Sequence, residues 1–327
     1  MWGQGLKTEH KSWYRVKVWL EKTTGRAVIE KVAAHSGAII ERSSAPENLT
    51  TPNPEVDFAV PTLNEELDNA ERFYSDPLAI DVVLVSGCAN DVGVLNLLNA
   101  NATEQIEEMT KAKCGLPMEN LLRRISISFP AAHVIVTGYY PFFSEKTRND
   151  FILRALVRRF FKSIPGNHTV SSKELLQRLT ANSNEWYRAS NDALSQAVRN
   201  VNSSLYREQV MFAKIEFSPE HSFAAPQSYL WQLNRSPFRM VLVLLSFGKI
   251  MLPSNDEVRK QRSASCREFF KRQRSETDAQ KKELDQRRLQ CRYAALGHPN
   301  RKGALLYSEA ILELLKPHFT VATATSP

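Results

Sequence analysis

The chain has 327 residues, 43% of them hydrophobic and 24% charged, with a formal net charge of +8. This is the composition of an ordinary globular protein that can bury a sizeable core, and α/β folds of this length commonly form one domain. No run of about 18 apolar residues occurs, and charged and polar residues are spread throughout residues 1–20. We therefore expect neither a membrane span nor a signal peptide, with a cytoplasmic location as the default and a secretory one as the alternative if the N-terminus is truncated.

Predicted helices and strands alternate along the first two thirds of the chain. The elements are a helix at 10–22, a strand at 27–34, a loop at 43–61, a helix at 64–74, strands at 80–85 and 132–137 separated by a helix at 118–127, helices at 148–161 and 172–200, and a strand at 210–217. This alternation predicts an α/β fold of three layers, α/β/α, with a parallel sheet between helices. The alternation stops at 218–292, which we interpret as an inserted helical region before the C-terminal helix at 305–315, and 320–327 is a polar tail.

Much of the positive charge lies in one stretch. Residues 256–292 contain twelve Lys or Arg and seven Asp or Glu, a net charge of +5. A long solvated helix with mixed ion pairs accounts for this pattern, and an anion-binding face is the alternative. Aromatic residues are not interleaved with the basic ones, so we do not expect nucleic-acid binding.

The four cysteines are sparse and their spacing is not that of a metal site. We therefore expect free thiols in a reducing compartment and no bound metal.

The most informative segment is 81–93. Its apolar β-branched run stops at Gly87 and is followed by small and polar residues, as at the carboxyl edge of a parallel sheet, where α/β proteins bind ligands. Asn90 is placed there to donate an amide N–H to a substrate, or else it caps the following turn.

Five segments, taken in chain order, resemble the SGNH or GDSL-type hydrolases, and most closely their microbial and fungal members. The segments are Trp2-Gly-Gln-Gly5, Ala34-His-Ser-Gly-Ala38, Gly87-Cys-Ala-Asn-Asp-Val-Gly93, 138–144 (GYYPFFS) and Gly297-His-Pro-Asn-Arg-Lys-Gly-Ala304. The resemblance implies a flavodoxin-like α/β/α fold in a single domain over 1–327. It also implies hydrolysis of carboxylic esters, such as lipid or glycan esters, by a serine nucleophile without a cofactor.

The resemblance assigns roles to three residues: His298 is the general base, and Asn90 and the backbone N–H of Gly37 stabilise the oxyanion. The Gly-Asp-Ser block of the family is absent, and the nucleophile and the first strand would lie upstream of Met1. Ser36 is a poor substitute, because the family uses that region for the oxyanion glycine.

The acid that orients the histidine is also missing, since Ala295 stands at its usual position. A Ser–His dyad, or a carboxylate from elsewhere such as Asp91 or Glu220, are the alternatives. We therefore expect an ester hydrolase crevice that is inactive in this chain. A non-catalytic relative that binds an acyl or glycan ligand, and a basic-helix interaction protein, remain as alternatives.

Overall fold

The structure is a computed structural model. It describes residues 3–42, 55–56, 59–150, 153–154, 164, 167, 170–232, 256–271, 277–278, 280–281, 284–285, 288, 291 and 294–319. Most of the loop predicted at 43–61, most of the helix predicted at 148–161, the tail 320–327 and much of the region 218–292 lie outside these residues.

Three parallel strands form the sheet that the described residues contain. They are β1 (Val82–Val85), β2 (His133–Thr137) and β3 (Val210–Ala213), in the order β1-β2-β3. In the register, Val83 lies opposite Val134, and Ile135 lies opposite Met211. The strands predicted at 80–85 and 132–137 are confirmed and slightly shorter than predicted, and the strand predicted at 210–217 is confirmed over its first half.

Helices follow the strands in the predicted alternation. The described helices are α1 (Ser12–Thr24), α2 (Leu63–Phe73), α3 (Ala89–Val92), α4 (Val94–Leu97), α5 (Thr103–Thr110), α6 (Leu116–Ser128), α7 (Ser172–Leu205), α8 (Asp256–Lys271) and α9 (Arg301–Phe319). A π-helical turn at Lys111–Gly115 joins α5 to α6. Thr62 begins α2 with a capping box, in which its hydroxyl accepts from the Glu65 amide and the Glu65 carboxylate accepts from the Thr62 amide.

Helices cover both faces of the sheet because the side chains of β1 alternate between two apolar clusters. Val82 and Leu84 pack in the cluster that α1 and α9 form, with Val16, Leu20, Ile311 and Leu315. Val83 and Val85 pack on the opposite face, in the cluster that contains Leu67, Leu121, Ile125 and Leu194. The protein is therefore a mixed α/β protein whose parallel sheet lies between helices.

The strand predicted at 27–34 is wrong. This segment has no regular secondary structure, it makes no backbone-to-backbone hydrogen bond with any other described residue, and Ile29 is 80% exposed. A β-branched run favours extended backbone, but a strand also requires a neighbour at hydrogen-bonding distance. No described strand lies beside this segment, so the ladder does not form.

The expectation of free thiols is also wrong, because all four cysteines are paired. Cys88 is bonded to Cys114 and Cys266 to Cys291, with Cα atoms 5.2 and 6.0 Å apart. The first disulfide joins the end of β1 to the π-helical turn, and the second joins α8 to the segment before α9. Spacing in the sequence does not reveal such pairs, because the fold decides which cysteines approach.

Candidate functional site

A cavity of about 1230 Å³ lies against β1 and extends past the carboxyl ends of the strands. All five segments that carry the resemblance contribute to its walls. The contributing residues are Gly3, Gln4, the run 34–38, Gly87, Ala89, Asn90, Tyr139, Tyr140, Phe142, Gly297 and His298. The fold thus brings Gly37, Asn90 and His298 to one cavity, although 261 positions of the sequence separate the first from the last.

The loop that carries Gly37 is held by a buried histidine. The two ring nitrogens of His35 lie 2.8 Å from the carbonyl oxygens of Ser36 and Pro61. A Glu66 carboxylate oxygen lies 3.4 Å from Nε2 of the same ring. Gly37 itself has φ of 87°, a conformation that side chains disfavour, so glycine suits this turn. The turn leaves its backbone beside the cavity without a Cβ.

Glu66 is a buried carboxyl group in the cavity wall. Burial raises the pKa of Glu66 to about 8, and the hydrogen bond from the His35 backbone amide opposes this shift. The carboxyl group is therefore largely protonated at neutral pH. The cavity beside the His35 loop thus carries less negative charge than its residues suggest.

Asn90 lies in α3, directly after β1. Its Nδ2 donates to the Ala38 carbonyl at 3.0 Å, and the neighbouring Asp91 accepts from the Ile40 amide at 2.8 Å. These two bonds attach the Gly37 loop to the end of β1. The N-cap of α3 is Cys88, with no side-chain cap bond, so the Asn90 amide does not cap that helix. An amide nitrogen carries two N–H groups, and the bond to Ala38 uses one of them.

His298 lies in a loop that other segments hold by its backbone. The Tyr140 hydroxyl donates to the Gly297 carbonyl at 2.8 Å, and the backbone of Trp231 exchanges two bonds of 2.8 Å with Gly297 and His298. Gly297 has φ of 83°, and a Cβ there would lie 1.8 Å from the Phe142 ring. These contacts determine where the imidazole enters the cavity. Tyr140 and Trp231 position it, and sequence reasoning did not assign them that role.

The sequence offers three positions for an acid that orients His298, and the structure gives each of them a different environment. Ala295 is buried in an apolar cluster with Leu6, Trp231 and Ala304. Asp91 is bonded to Ile40, and burial raises the pKa of Asp91 to about 6. Glu220 accepts from the Ser218 hydroxyl and pairs with Lys146 at 3.8 Å.

Neither Asp91 nor Glu220 is among the described residues that line the cavity, whereas Asp285 is, with Arg288 3.3 Å from its carboxylate. No feature of the sequence distinguishes Asp285 from the other charges of its stretch.

Serine hydroxyls in the cavity wall differ in their hydrogen bonds. Ser36 is 7% exposed, and its Oγ has no hydrogen-bond partner among the described residues. Ser183 also lines the cavity, but its hydroxyl accepts from the Phe143 amide at 2.8 Å. Ser86, directly after β1, lines the cavity as well. Ser36 and Ser86 are therefore the two serines of the cavity wall whose reactivity must be tested.

Beyond His298 the cavity walls are apolar and aromatic. The rings of Phe142 and Phe223 stack with centroids 4.9 Å apart and planes 15° apart. Other apolar residues of this end are Leu97, Leu98, Ile164, Trp186 and Leu296. This end suits an apolar group of a ligand better than a charged one.

The structure is that of a mixed α/β protein with a cavity at the carboxyl edge of a parallel sheet. Comparison of the chain with protein-family models, with curated proteins and with solved structures finds no match. Among the described residues, no group of three His, Cys, Asp or Glu is arranged to hold a metal ion. No helix in the described part of the chain is both long and apolar enough to cross a membrane.

Proposed function

We propose that the cavity is the crevice of a serine-type ester hydrolase of the SGNH kind, without its nucleophile. One observation carries the proposal: residues from all five family-like segments line the same cavity. Four of the segments are also in direct contact in pairs, since the Asn90 amide donates to the Ala38 carbonyl at 3.0 Å and the Tyr140 hydroxyl donates to the Gly297 carbonyl at 2.8 Å. The absence of matches to known families leaves this geometry as the main support.

Each residue has a defined task in the proposed chemistry. His298 takes the proton of a serine hydroxyl while the serine oxygen forms a bond to the ester carbonyl carbon. The Asn90 side-chain amide and the Gly37 backbone N–H stabilise the oxyanion that forms. The ester C–O bond then breaks, and the alcohol leaves with the proton from His298. Water releases the acyl group by the same steps. In this proposal the serine comes from a Gly-Asp-Ser segment, a tripeptide that the 327 residues do not contain.

The side chains that line the cavity also favour one class of ester. Phe142, Phe223 and Leu296 surround the end of the cavity next to His298. An ester with an apolar acyl or aromatic group would remove this surface from water, which favours binding by roughly 25 cal/mol per Å² of apolar area. A glycan would leave many hydroxyls against apolar rings. We therefore favour apolar esters over sugar esters.

The test restores the missing part. A strand-restored chain carries an apolar strand ending in Gly-Asp-Ser ahead of Met1, and its hydrolysis of p-nitrophenyl butyrate is measured. We expect His298→Ala to lower kcat about 10²–10⁴-fold, because the serine loses its base. His318→Ala is the matched control, since His318 is exposed near the end of α9 and is not among the cavity residues. Equal rates for the two variants would remove His298 from the mechanism.

A non-catalytic ligand-binding protein is the second candidate. The same apolar walls favour it, and it requires no serine. Two measurements separate the candidates. Isothermal titration calorimetry shows whether the 327-residue chain binds butyrate esters, and the strand-restored chain shows whether the bound ester is hydrolysed. Binding without any hydrolysis in the strand-restored chain would select the binding protein.

A further inference from the structure

The two disulfides bear on the compartment in which the chain folds. Cys88 is bonded to Cys114 and Cys266 to Cys291, so all four cysteines of the sequence are paired. Each of the four is buried, with at most 6% of its surface exposed. Cysteines that act in catalysis or redox sensing are accessible to other thiols, so these buried pairs are structural. Structural disulfides persist in oxidising compartments and are rare in the cytosol, and this pairing therefore favours folding in a secretory pathway.

A secretory pathway exposes the chain to asparagine-linked glycosylation, which takes place at the tripeptide Asn-x-Ser or Asn-x-Thr. The tripeptide alone is a weak signal, because short sequences of this kind arise often by chance. The asparagines of such tripeptides are Asn48, Asn101, Asn167, Asn202 and Asn234. The first and the last lie outside the described residues. For the other three, the environment of the side-chain amide decides which can carry a glycan.

Two of these three asparagines direct their amides into the protein. Asn167 is 0% exposed, its Nδ2 donates to the Leu98 carbonyl at 2.8 Å, and its Oδ1 accepts from the Ala100 amide at 2.7 Å. In α7, Asn202 donates to the Val210 carbonyl at 2.8 Å and accepts from the Val210 amide at 3.0 Å. A sugar on either Nδ2 would collide with the neighbouring backbone. The fold therefore excludes a glycan at both positions.

Asn101 has a different environment. It is exposed and lies in the turn between α4 and α5. Its Oδ1 accepts from the Arg178 guanidinium at 2.8 Å, and Arg178 also pairs with Glu174 at 2.8 Å. Its Nδ2 makes no hydrogen bond with any described residue. Because the sugar is linked to Nδ2, a glycan at this position breaks none of these contacts and leaves the bond to Arg178 in place.

We propose that Asn101 carries an N-linked glycan, added in an oxidising secretory compartment. In the transfer, Nδ2 of Asn101 forms a bond to the anomeric carbon of the first sugar of a lipid-diphosphate-linked oligosaccharide. The bond from that carbon to the diphosphate oxygen breaks, the lipid diphosphate leaves, and Nδ2 gives up one proton. A membrane-bound oligosaccharyltransferase of the compartment catalyses this step. The proposal rests on the disulfides and on the turn, and it does not depend on ester hydrolysis.

The first experiment examines the native protein, recovered with an antibody against the chain from the cells that produce it. The protein is denatured without reduction, its free thiols are labelled, and it is treated with peptide-N-glycosidase in heavy-oxygen water. This enzyme releases N-linked glycans and leaves a heavy-oxygen aspartate at each occupied position, which peptide mass spectrometry locates. We expect the heavy-oxygen label at Asn101 and none at Asn167 or Asn202. We also expect no free thiol.

Matched variants test the site in the full chain, secreted from eukaryotic cells behind a cleavable leader. Asn101→Asp keeps an oxygen for Arg178 and removes the acceptor nitrogen, so it should abolish the glycan. Thr103→Ser is the control, because it keeps the tripeptide and a hydroxyl for the bond to Asn182, and it should retain the glycan. Thr103→Ala removes the tripeptide without changing Asn101 and should again abolish the glycan. Glycans are read in both lysate and medium, so a variant that is not secreted still gives a result.

Three results would overturn the proposal. A native protein without the heavy-oxygen label at Asn101 would show that the exposed amide is not modified. Four free thiols in the native protein would place its folding in a reducing compartment. A heavy-oxygen label at Asn167 in the native protein would show that burial in this fold does not select the glycosylated asparagine.

Discussion

Buried ionisable groups concentrate around the Gly37 loop. Glu66 lies 3.4 Å from His35, and Asp91 accepts the Ile40 amide. Burial raises the pKa of Glu66 to about 8 and that of Asp91 to about 6. Both groups are carboxyls whose charged form the fold disfavours, so the stability of the loop depends on pH.

Replacing Glu66 tests this dependence. The ordinary pKa of a glutamate carboxyl is 4.5, and the pKa of Glu66 in the folded chain is about 8. Between these two pH values the folded chain keeps a proton on Glu66, whereas the unfolded chain has released it. The free energy of unfolding therefore falls as pH rises through this window. We expect Glu66→Gln to be more stable than the parent at pH 8–9 and to lose most of this pH dependence, measured by urea unfolding at pH 5, 7 and 9. Glu71→Gln, on an exposed position of the same helix, is the control. A parent chain with equal stability at pH 5 and 8 would contradict the assignment.

The proposed function gives Asn90 a catalytic task beside its structural bond to Ala38, and the two are separable. In the strand-restored chain, Asn90→Ala should lower kcat about 10²–10³-fold with little change in KM, because an oxyanion donor acts mainly in the transition state. It should also lower the free energy of unfolding by about 1 kcal/mol through the lost bond to Ala38. Asn64→Ala is the matched control, because Asn64 donates to the Ile40 carbonyl at 3.0 Å and does not line the cavity. The same kcat loss in both variants would reduce Asn90 to a structural residue.

At the residue scale, the sequence indicated three residues that line one cavity, but not the contacts that hold them there. Gly37, Asn90 and His298 were selected by the order of their segments, and the structure places all three around one cavity. Tyr140 contacts Gly297 across 157 positions. A contact of that range depends on the packing of the whole sheet, and no local pattern of residues encodes it.

At the scale of elements, local patterns predicted the helices and three of four strands. The helix predicted at 10–22 is found at Ser12–Thr24, where Gly25 ends it with φ of 67°. The strand prediction at 27–34 failed because a strand forms only when two segments pair, and a local sequence pattern describes only one of the two. The disulfides were missed for the same reason.

The Cys88–Cys114 disulfide supplies the prediction at this scale. It closes 26 residues between the end of β1 and the π-helical turn. The Cys88→Ser, Cys114→Ser double variant should lose about 3–4 kcal/mol of unfolding free energy, since the open loop makes the unfolded chain more disordered. Urea unfolding with and without dithiothreitol measures this loss. Thiol titration of the denatured, unreduced chain should detect no free thiol, and four free thiols would contradict both disulfides.

At the scale of the whole molecule, the outer edge of β1, which pairs with no other described strand, should limit stability. Each apolar side chain of a strand that paired with it would contribute roughly 1.5–3 kcal/mol of burial. The sum over a strand is comparable to the total stability of a domain, about 5–15 kcal/mol. We therefore expect the 327-residue chain to be poorly soluble or loosely packed, and the strand-restored chain to unfold at a higher temperature in differential scanning calorimetry. Equal transition temperatures for the two chains would show that the unpaired edge of β1 does not limit stability.

The most direct test of the central claim is labelling with a fluorophosphonate serine probe. The claim is that this crevice contains a base and oxyanion donors but no nucleophile. The 327-residue chain should remain unlabelled, and the strand-restored chain should be labelled at its added serine, as peptide mass spectrometry would show. Labelling of the 327-residue chain that Ser36→Ala or Ser86→Ala abolishes would contradict the claim and would make that serine the nucleophile.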